Sequence, residues 1–255
     1  MTIIARRRVY WALFLAACVC LAAFVPLYLS AMRQPAEPSF LAKAGVAAQF
    51  RLFRARIPSQ RLAGAGAGLC ALYSFLNLGL ILYSFRKTVS AEIYFYAFWV
   101  LSLGFETLRL AVFGIAAANG STYWQILATK ALLFARYSGY LSLFASGLYA
   151  AGFRNEKLGS AAVFILAVSF ALATAMPVNT GSFAPTLELR SGYGILHLGF
   201  YAVTSVVTVA NFLYAVRSTG ESAYRLVAFG CAAFLIGRQL LVSQLNPFLI
   251  VAGFA

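Results

Sequence analysis

The sequence predicts an all-α fold, a polytopic integral membrane helix bundle with about seven transmembrane helices. Hydrophobic residues make up 62% of the 255 residues and charged residues only 10%, against roughly 45–50% and about 25% in soluble domains. Apolar runs of about 20 residues, the length that crosses a bilayer, recur along the chain. Most basic residues flank these runs, which indicates membrane topology and makes the lipid bilayer, and not nucleic acid, the expected partner.

Residues 1–31 contain Arg6, Arg7 and Arg8 near the N-terminus and then the first apolar run. These three arginines predict a cytoplasmic N-terminus. A cleaved signal peptide is one interpretation, but this run of about 20 residues exceeds the usual apolar core of about 7–15 residues. We therefore favour an uncleaved signal anchor that is the first transmembrane helix.

Residues 32–61 are a basic extracytoplasmic segment that begins with a Pro-containing linker. As a helix, this segment would place Val46, Phe50, Phe53 and Ile57 on one side with basic residues beside them, which suits a helix lying along the membrane surface. A short extended linker is the alternative.

The remaining residues, 62–255, predict a six-helix transmembrane bundle. Six apolar runs fall at about 62–85, 92–116, 125–151, 159–177, 193–216 and 224–243. From residue 62 onward the basic residues concentrate in every other loop, on the predicted cytoplasmic side, and the two later outer loops contain only Arg190. This asymmetry supports the predicted orientation, although the basic segment 32–61 departs from it.

The stretch Tyr94–Phe113 combines a membrane-spanning composition with Glu106 and Arg109. Ionisable residues inside a span are costly and commonly mark functional sites. Six residues follow one another at spacings of four and three and so share one helical stripe: Phe95, Trp99, Ser102, Glu106, Arg109 and Phe113. We expect this stripe to face other helices and not lipid.

Other charged residues lie in later spans, namely Lys130, Arg136, His197 and Arg238. At about 1.5 Å per residue, Glu106, Arg136 and Arg238 fall within about 5 Å of the predicted midplane. Arg109, Lys130 and His197 lie roughly 8–12 Å further out. One acid thus faces several bases, and we predict that Glu106 pairs with Arg136 or Arg238.

A second polar stripe follows His197 in the sixth span and contains Tyr201, Thr204, Thr208 and Asn211. Such side chains commonly hold helices together. They could equally line an outward-facing cavity whose surplus of Arg and Lys receives a small anionic ligand, since buried like charges need a counter-ion. For His197 itself, a hydrogen-bonded packing role is favoured over a proton relay.

The inventory of reactive groups predicts no enzyme, no cofactor and no metal site. The chain has no Asp, one His and four Cys, and every Cys lies in an apolar run. The Cys residues are therefore expected to be buried small hydrophobic residues. Zinc or di-metal carboxylate catalysis would lack its usual ligands.

The run FLNLGLILYSFRKTVSAEIYFYAFWVLSLGFETLRL spans Phe75–Leu110. It resembles the opening helix pair of the bacterial seven-transmembrane receptors with diverse intracellular signalling modules: an Asn-containing helix, a short basic turn, then a Tyr- and Phe-rich helix with a Leu-Ser-Leu-Gly centre. The resemblance covers about residues 64–243. It implies a receptor-like or sensor-like, non-catalytic module in a bacterial inner membrane that signals to a partner membrane or signalling protein.

Two alternative functions are a carrier or channel for a small anionic solute, and a structural subunit of a membrane complex. A carrier predicts discontinuous helices or an internal repeat. The ending SQLNPFLIVAGFA is interpreted either as an outer turn that starts another apolar run, as in a truncated chain, or as a kink at Pro247.

Overall fold

The structure is a computed structural model that describes residues 3–33, 60–85, 90–153, 158–184 and 186–243. The predicted surface segment at 32–61 falls almost entirely outside these residues, as does the C-terminal turn after residue 243. The described helices are α1 Ile3–Arg33, α2 Gln60–Ser84, α3 Ala91–Ala117, α4 Thr122–Ala150, α5 Leu158–Ala175, α6 Gly194–Thr219 and α7 Ala223–Ser243.

Each predicted apolar run coincides with one of these helices, to within a few residues at either end. Five of the helices, α1, α2, α3, α5 and α6, are long and apolar enough to cross a membrane. The described part of the protein is therefore a predominantly helical bundle with five candidate spans. Because α4 and α7 are not among the five, the count of seven stays a prediction.

Helix α4 occupies the centre of the described bundle and packs against α3, α5, α6 and both strands of a small hairpin. About half of its residues are buried, including Gln125, Thr129 and Arg136. A helix surrounded by protein can carry such polar groups, because they meet other side chains and not hydrocarbon. The central position of α4 explains why it carries charge.

A two-stranded hairpin accompanies the helices of the predicted all-α fold. Strands β1, Val178–Phe183, and β2, Leu189–Ser191, pair antiparallel in the segment that the sequence pattern assigns to an irregular outer loop. Apolar and charged residues alternate over 187–190, which is the two-residue period of a strand with one covered face. The alternation agrees with the burial of Leu187 and Leu189 in the structure.

The hairpin lies on the second half of α3. Phe183 and Leu189 pack against Val112, and Leu187 packs into a second cluster that contains Leu110 and Phe113. Leu187 is only 3% exposed and has a φ of 64°, a backbone conformation that is rare for a bulky residue. The hairpin is thus seated on the bundle by apolar contacts.

Small residues allow the first two helices to approach closely. The rings of Phe24 and Tyr28 on α1 occupy the positions that side chains at Gly68 and Gly64 on α2 would fill. Two glycines four residues apart are a recurrent packing surface between membrane helices, since they let neighbouring atoms approach the backbone. This half of the bundle is held by packing of aromatic rings on glycine.

Glycines on α4 serve the same purpose towards its neighbours. A Cβ at Gly139 would overlap Ser102 of α3, and a Cβ at Gly147 would lie 3.2 Å from the carbonyl oxygen of Thr208 on α6. Ser102 lies one turn before Glu106, and Gly139 lies three residues after Arg136. The close α3–α4 approach therefore brings the predicted acid and base together.

Candidate functional site

The predicted stripe on α3 is buried, as expected for a face directed at other helices. Its members are between 0% and 3% exposed: Phe95, Trp99, Ser102, Glu106, Arg109 and Phe113. The helix tightens to a 3₁₀ turn over Phe105–Thr107, where the Thr107 hydroxyl donates to the Gly104 carbonyl at 3.0 Å. A 3₁₀ turn inside a helix often marks a functional hinge or local strain, and here it contains Glu106.

Glu106 pairs with both arginines that the sequence pointed to. Arg136 Nε donates to Glu106 Oε1 at 2.9 Å and Arg136 Nη2 to Oε2 at 2.8 Å, which is the two-pronged geometry of a strong arginine–carboxylate pair. Arg238 Nη2 donates to Oε1 at 3.1 Å. The Glu106 carboxylate thereby joins α3, α4 and α7, and is completely buried.

Arg109 adds a third guanidinium from within α3. Its Nε lies 3.2 Å from Glu106 Oε2 and also donates to the Glu106 carbonyl oxygen at 3.3 Å. The side chain is 1% exposed, and its Nη1 and Nη2 have no hydrogen-bond partner among the described residues. The single carboxylate of Glu106 thus holds three buried cations.

A second acid reaches the cluster from the hairpin. Glu188 Oε2 lies 2.7 Å from Arg136 Nη2, and the Glu188 side chain is 18% exposed. Sequence reasoning missed this residue, because it assigned the segment to an outer loop. With Glu188 included, three guanidinium groups face two carboxylates, so the cluster still carries one net positive charge. We call these five residues the charge cluster: Glu106, Arg109, Arg136, Glu188 and Arg238.

Aromatic residues of α4 and α6 cover one side of Arg238. Its Cζ lies 4.7 Å from the centroid of the Tyr140 ring, within the range of a cation–π contact. The Tyr140 and Tyr201 rings stack with their centroids 4.3 Å apart. Arg238 is thus held by aromatic contacts as well as by its ion pair with Glu106.

His197 is held by a tyrosine rather than by a charged residue. The Tyr137 hydroxyl lies 2.8 Å from His197 Nδ1, and the His197 ring packs against Tyr201 with centroids 4.2 Å apart. This arrangement agrees with the favoured packing role of His197. His197 nevertheless lines a cavity that also contains Arg136, Glu188 and Arg238 in its wall.

A cavity of about 580 Å³ opens beside the charge cluster, between α4, α6, α7 and the hairpin. Its wall includes Arg136, Glu188, Arg190, His197, Tyr201 and Arg238. The volume is in the range of small-molecule sites, roughly 300–1,000 Å³. The wall carries three arginines, Arg136, Arg190 and Arg238, against one acid, Glu188, so its charge favours an anion.

Two donors in the wall residues have no partner among the described residues. They are Arg238 Nε and the Tyr201 hydroxyl, and both are buried. Buried polar groups in folded proteins are nearly always hydrogen-bonded, and leaving one unpaired costs about 1–3 kcal/mol. Both side chains are therefore well suited to donate to an oxygen-rich group.

Lys130 does not join the charge cluster. Its Nζ donates to the carbonyl oxygens of Ala173 and Thr174 at 2.9 Å, and to that of Met176. These carbonyls belong to the end of α5, where backbone acceptors have no partner inside the helix. The structure thus assigns Lys130 a helix-capping role, which corrects its grouping with the buried network.

Three residues of the predicted polar stripe on α6, Thr204, Thr208 and Asn211, also lie apart from the cavity wall. The Thr208 hydroxyl donates to the carbonyl of Thr204 at 2.7 Å, one turn earlier in the same helix. Asn211 lies opposite Gly147 of α4, and its Nδ2 has no partner among the described residues. Of this stripe, only Tyr201 contributes to the wall.

Over the described residues, no group of three or more His, Cys, Asp or Glu side chains is placed to hold a metal ion. The four cysteines are free, and Cys20, Cys70 and Cys231 are buried. Comparison of the chain with protein-family models, with curated proteins and with solved structures gives no match. The function must therefore be inferred from the site itself.

Proposed function

We propose that this protein is a receptor-like or sensor-like membrane module that binds a small anion beside the charge cluster. It has no catalytic role and passes the signal to a partner protein by helix rearrangement. The observation that carries the proposal is the composition of the cavity wall. It contains Arg136 and Arg238 together with two buried donors, Arg238 Nε and the Tyr201 hydroxyl, that have no partner within the described part of the chain.

Charge balance favours an anion over a neutral or cationic ligand. The charge cluster has one net positive charge with Glu188 in place, and Arg190 adds another cation at the wall. Buried charges of one sign are costly until a counter-ion approaches. A bound anion would supply that counter-ion and complete the hydrogen bonds of the wall.

Helix α7 provides the route for a signal. Arg238 lies in the cluster, while Tyr224 at the other end of α7 donates to Glu92 Oε1 at 3.0 Å. The Ser146 hydroxyl of α4 donates to the Glu92 carbonyl oxygen at 2.9 Å. Arg238 and Tyr224 are separated by about 21 Å at 1.5 Å per residue. A ligand that shifts Arg238 would therefore change contacts at the opposite end of the bundle.

The proposal places all seven described helices in the bilayer of a bacterial inner membrane, with the N-terminus in the cytoplasm. Two observations support it. The central α4 carries charge because protein surrounds it, and the arginines near the start of α1 follow the positive-inside pattern. The cavity then opens on the extracytoplasmic side, and Glu92 and Tyr224 face the cytoplasm.

A carrier for a small anionic solute is the second candidate. The 3₁₀ turn at Phe105–Thr107 favours it, because it interrupts α3 at the residue that binds all three arginines. Interrupted helices near the midplane form the binding sites of many transporters. A carrier and a sensor share the anion site and differ in whether the solute crosses the membrane.

Two measurements on the purified full-length protein test the proposal. Thermal unfolding in detergent is measured with acetate, phosphate or sulfate, and with acetamide as the neutral control. Uptake of the labelled stabilising anion into proteoliposomes is then measured. We expect stabilisation by an anion, none by acetamide, and no uptake. Uptake would establish the carrier, and the absence of stabilisation by any anion would favour a structural subunit.

A further inference from the structure

Arg136 is shared between two carboxylates in different settings. It binds Glu106 through two nitrogens, at 2.9 and 2.8 Å. It binds Glu188 through Nη2 alone, at 2.7 Å. Glu106 is fully buried, whereas Glu188 is 18% exposed and forms part of the cavity wall. The two contacts therefore differ in how readily another anion could replace them.

We propose that the ligand of this site is a small carboxylate, and that Glu188 occupies its position on Arg136 until the ligand displaces it. Glu188 is in this view a tethered internal competitor. The inference rests on the proposed anion-binding function, to which it adds the ligand class and the regulation of the site.

The chemistry of the present occupant identifies the ligand class. The atom facing Arg136 Nη2 from the cavity side is a carboxylate oxygen. A free carboxylate provides the same charge and the same oxygen geometry, so it can take this position without any rearrangement of Arg136. Its second oxygen could then accept from the Tyr201 hydroxyl or Arg238 Nε, neither of which has a described partner.

Displacement of Glu188 would change how the hairpin is held. Leu187 and Leu189, on either side of Glu188, are 3% and 2% exposed and pack in the clusters that include the second half of α3. Glu188 instead ties the hairpin to α4 through Arg136. Loss of the Glu188 contact would therefore remove the ionic link between the hairpin and α4, while the apolar contacts of its leucines and the packing of Ala128 on Phe183 and Leu189 remain.

The first test is calorimetric titration of acetate into the full-length protein in detergent. Three forms are compared: wild type, Glu188→Gln, and the matched control Glu221→Gln, whose exposed side chain lies in the α6–α7 turn. Because a competing group lowers apparent affinity by the fraction of sites it leaves free, we expect Glu188→Gln to bind acetate about tenfold more tightly. Glu221→Gln should bind like wild type.

The second test uses wild-type protein alone, so it does not depend on the folding of a variant. Hydrogen–deuterium exchange is measured on the amides of residues 178–191, with and without saturating acetate. We expect acetate to speed exchange in the hairpin, because Glu188 leaves Arg136. Faster exchange together with tighter binding by Glu188→Gln supports the inference.

The outcomes separate this inference from the proposed function. Equal acetate affinity in wild type and Glu188→Gln, or slower hairpin exchange with acetate, would overturn the competition while leaving the anion site in place. Binding of phosphate but not acetate would overturn the carboxylate class. No binding of acetate, phosphate or sulfate to any form would overturn the proposed function and the inference together.

Discussion

Glu106 in the centre of the bundle and Glu188 on the hairpin bind the same guanidinium, but they are held in opposite ways. Glu106 is fully buried and contacts Arg109, Arg136 and Arg238. Glu188 is partly exposed and, among the described contacts, has one ion pair. One carboxylate is enclosed by three helices, and the other reaches in from a two-stranded hairpin.

This difference shows how one arginine can serve both structure and binding. Removing one partner of a buried ion pair is strongly destabilising, since a charge is left uncompensated. A pair that water can reach contributes less, because solvent screens its charges. We therefore assign Glu106 to the architecture and Glu188 to an exchangeable position.

The largest effect is expected from Glu106→Gln. Three buried guanidinium groups would lose their shared counter-charge, and the free energy of unfolding should fall by about 3–5 kcal/mol. Unfolding in mixed detergent micelles measures this change, with Glu188→Gln as the matched comparison. A loss as small as that of Glu188→Gln would show that Glu106 is not the structural partner of the arginines.

A smaller loss is expected from Gly139→Ala, which acts on the geometry of the Glu106 pair and not on its charge. The added methyl group would overlap Ser102 and push α3 from α4 beside the Glu106–Arg136 contact. Overpacking of this kind costs about 1–3 kcal/mol. Gly199→Ala is the control, because a Cβ there meets nothing within 4 Å.

The companion variant Ser102→Gly should relieve the overlap in the double variant. Restored stability in Gly139→Ala/Ser102→Gly would locate the strain at this contact. If the double variant is as unstable as Gly139→Ala alone, the close approach of α3 and α4 is not what limits this position.

Lys130→Met should lower the free energy of unfolding through the end of α5, away from the ion pairs of Glu106 and Glu188. The carbonyls at the end of α5 would lose their charged donor, and hydrogen bonds to charged groups contribute about 1.5–3 kcal/mol. Because Lys130 is half-buried, we expect a loss of about 1–2 kcal/mol in unfolding experiments. Anion affinity should not change, and a large drop in affinity would return Lys130 to the binding site.

Hydrophobicity and helical periodicity predicted most of the fold. Apolar runs gave each helix from α2 to α7, because spans in hydrocarbon must satisfy their backbone internally and so are helical. The hairpin could not be found this way. Its pairing depends on Phe183, Leu187 and Leu189 finding an apolar surface on other elements, which is a tertiary effect.

The contacts of Glu106 within the charge cluster were also predictable from the sequence, whereas that of Glu188 was not. The sequence places one acid among several bases in apolar runs, and Arg136 and Arg238 lie at nearly the same depth as Glu106, so these contacts follow from depth and charge. Lys130 was grouped with them as another base within an apolar run, because position along a helix does not reveal which side of it a residue occupies. Glu188 was missed because nothing in its local sequence shows that the hairpin reaches Arg136.

The most direct test of the central claim, that the cavity binds an anion, is Tyr201→Phe compared with Tyr214→Phe. Tyr201 lines the cavity, and its buried hydroxyl has no partner among the described residues. Tyr214 lies on the same helix and is 60% exposed. Anion affinity is measured by calorimetry, and thermal unfolding is measured without ligand.

Tyr201→Phe should lower anion affinity about tenfold, the loss of roughly one hydrogen bond to a charged acceptor. Its stability without ligand should not fall, because the hydroxyl has no protein acceptor to lose. Tyr214→Phe should change neither quantity. Unchanged affinity in Tyr201→Phe would contradict the anion site described for this cavity. A loss of stability without ligand would show that the hydroxyl serves the fold instead.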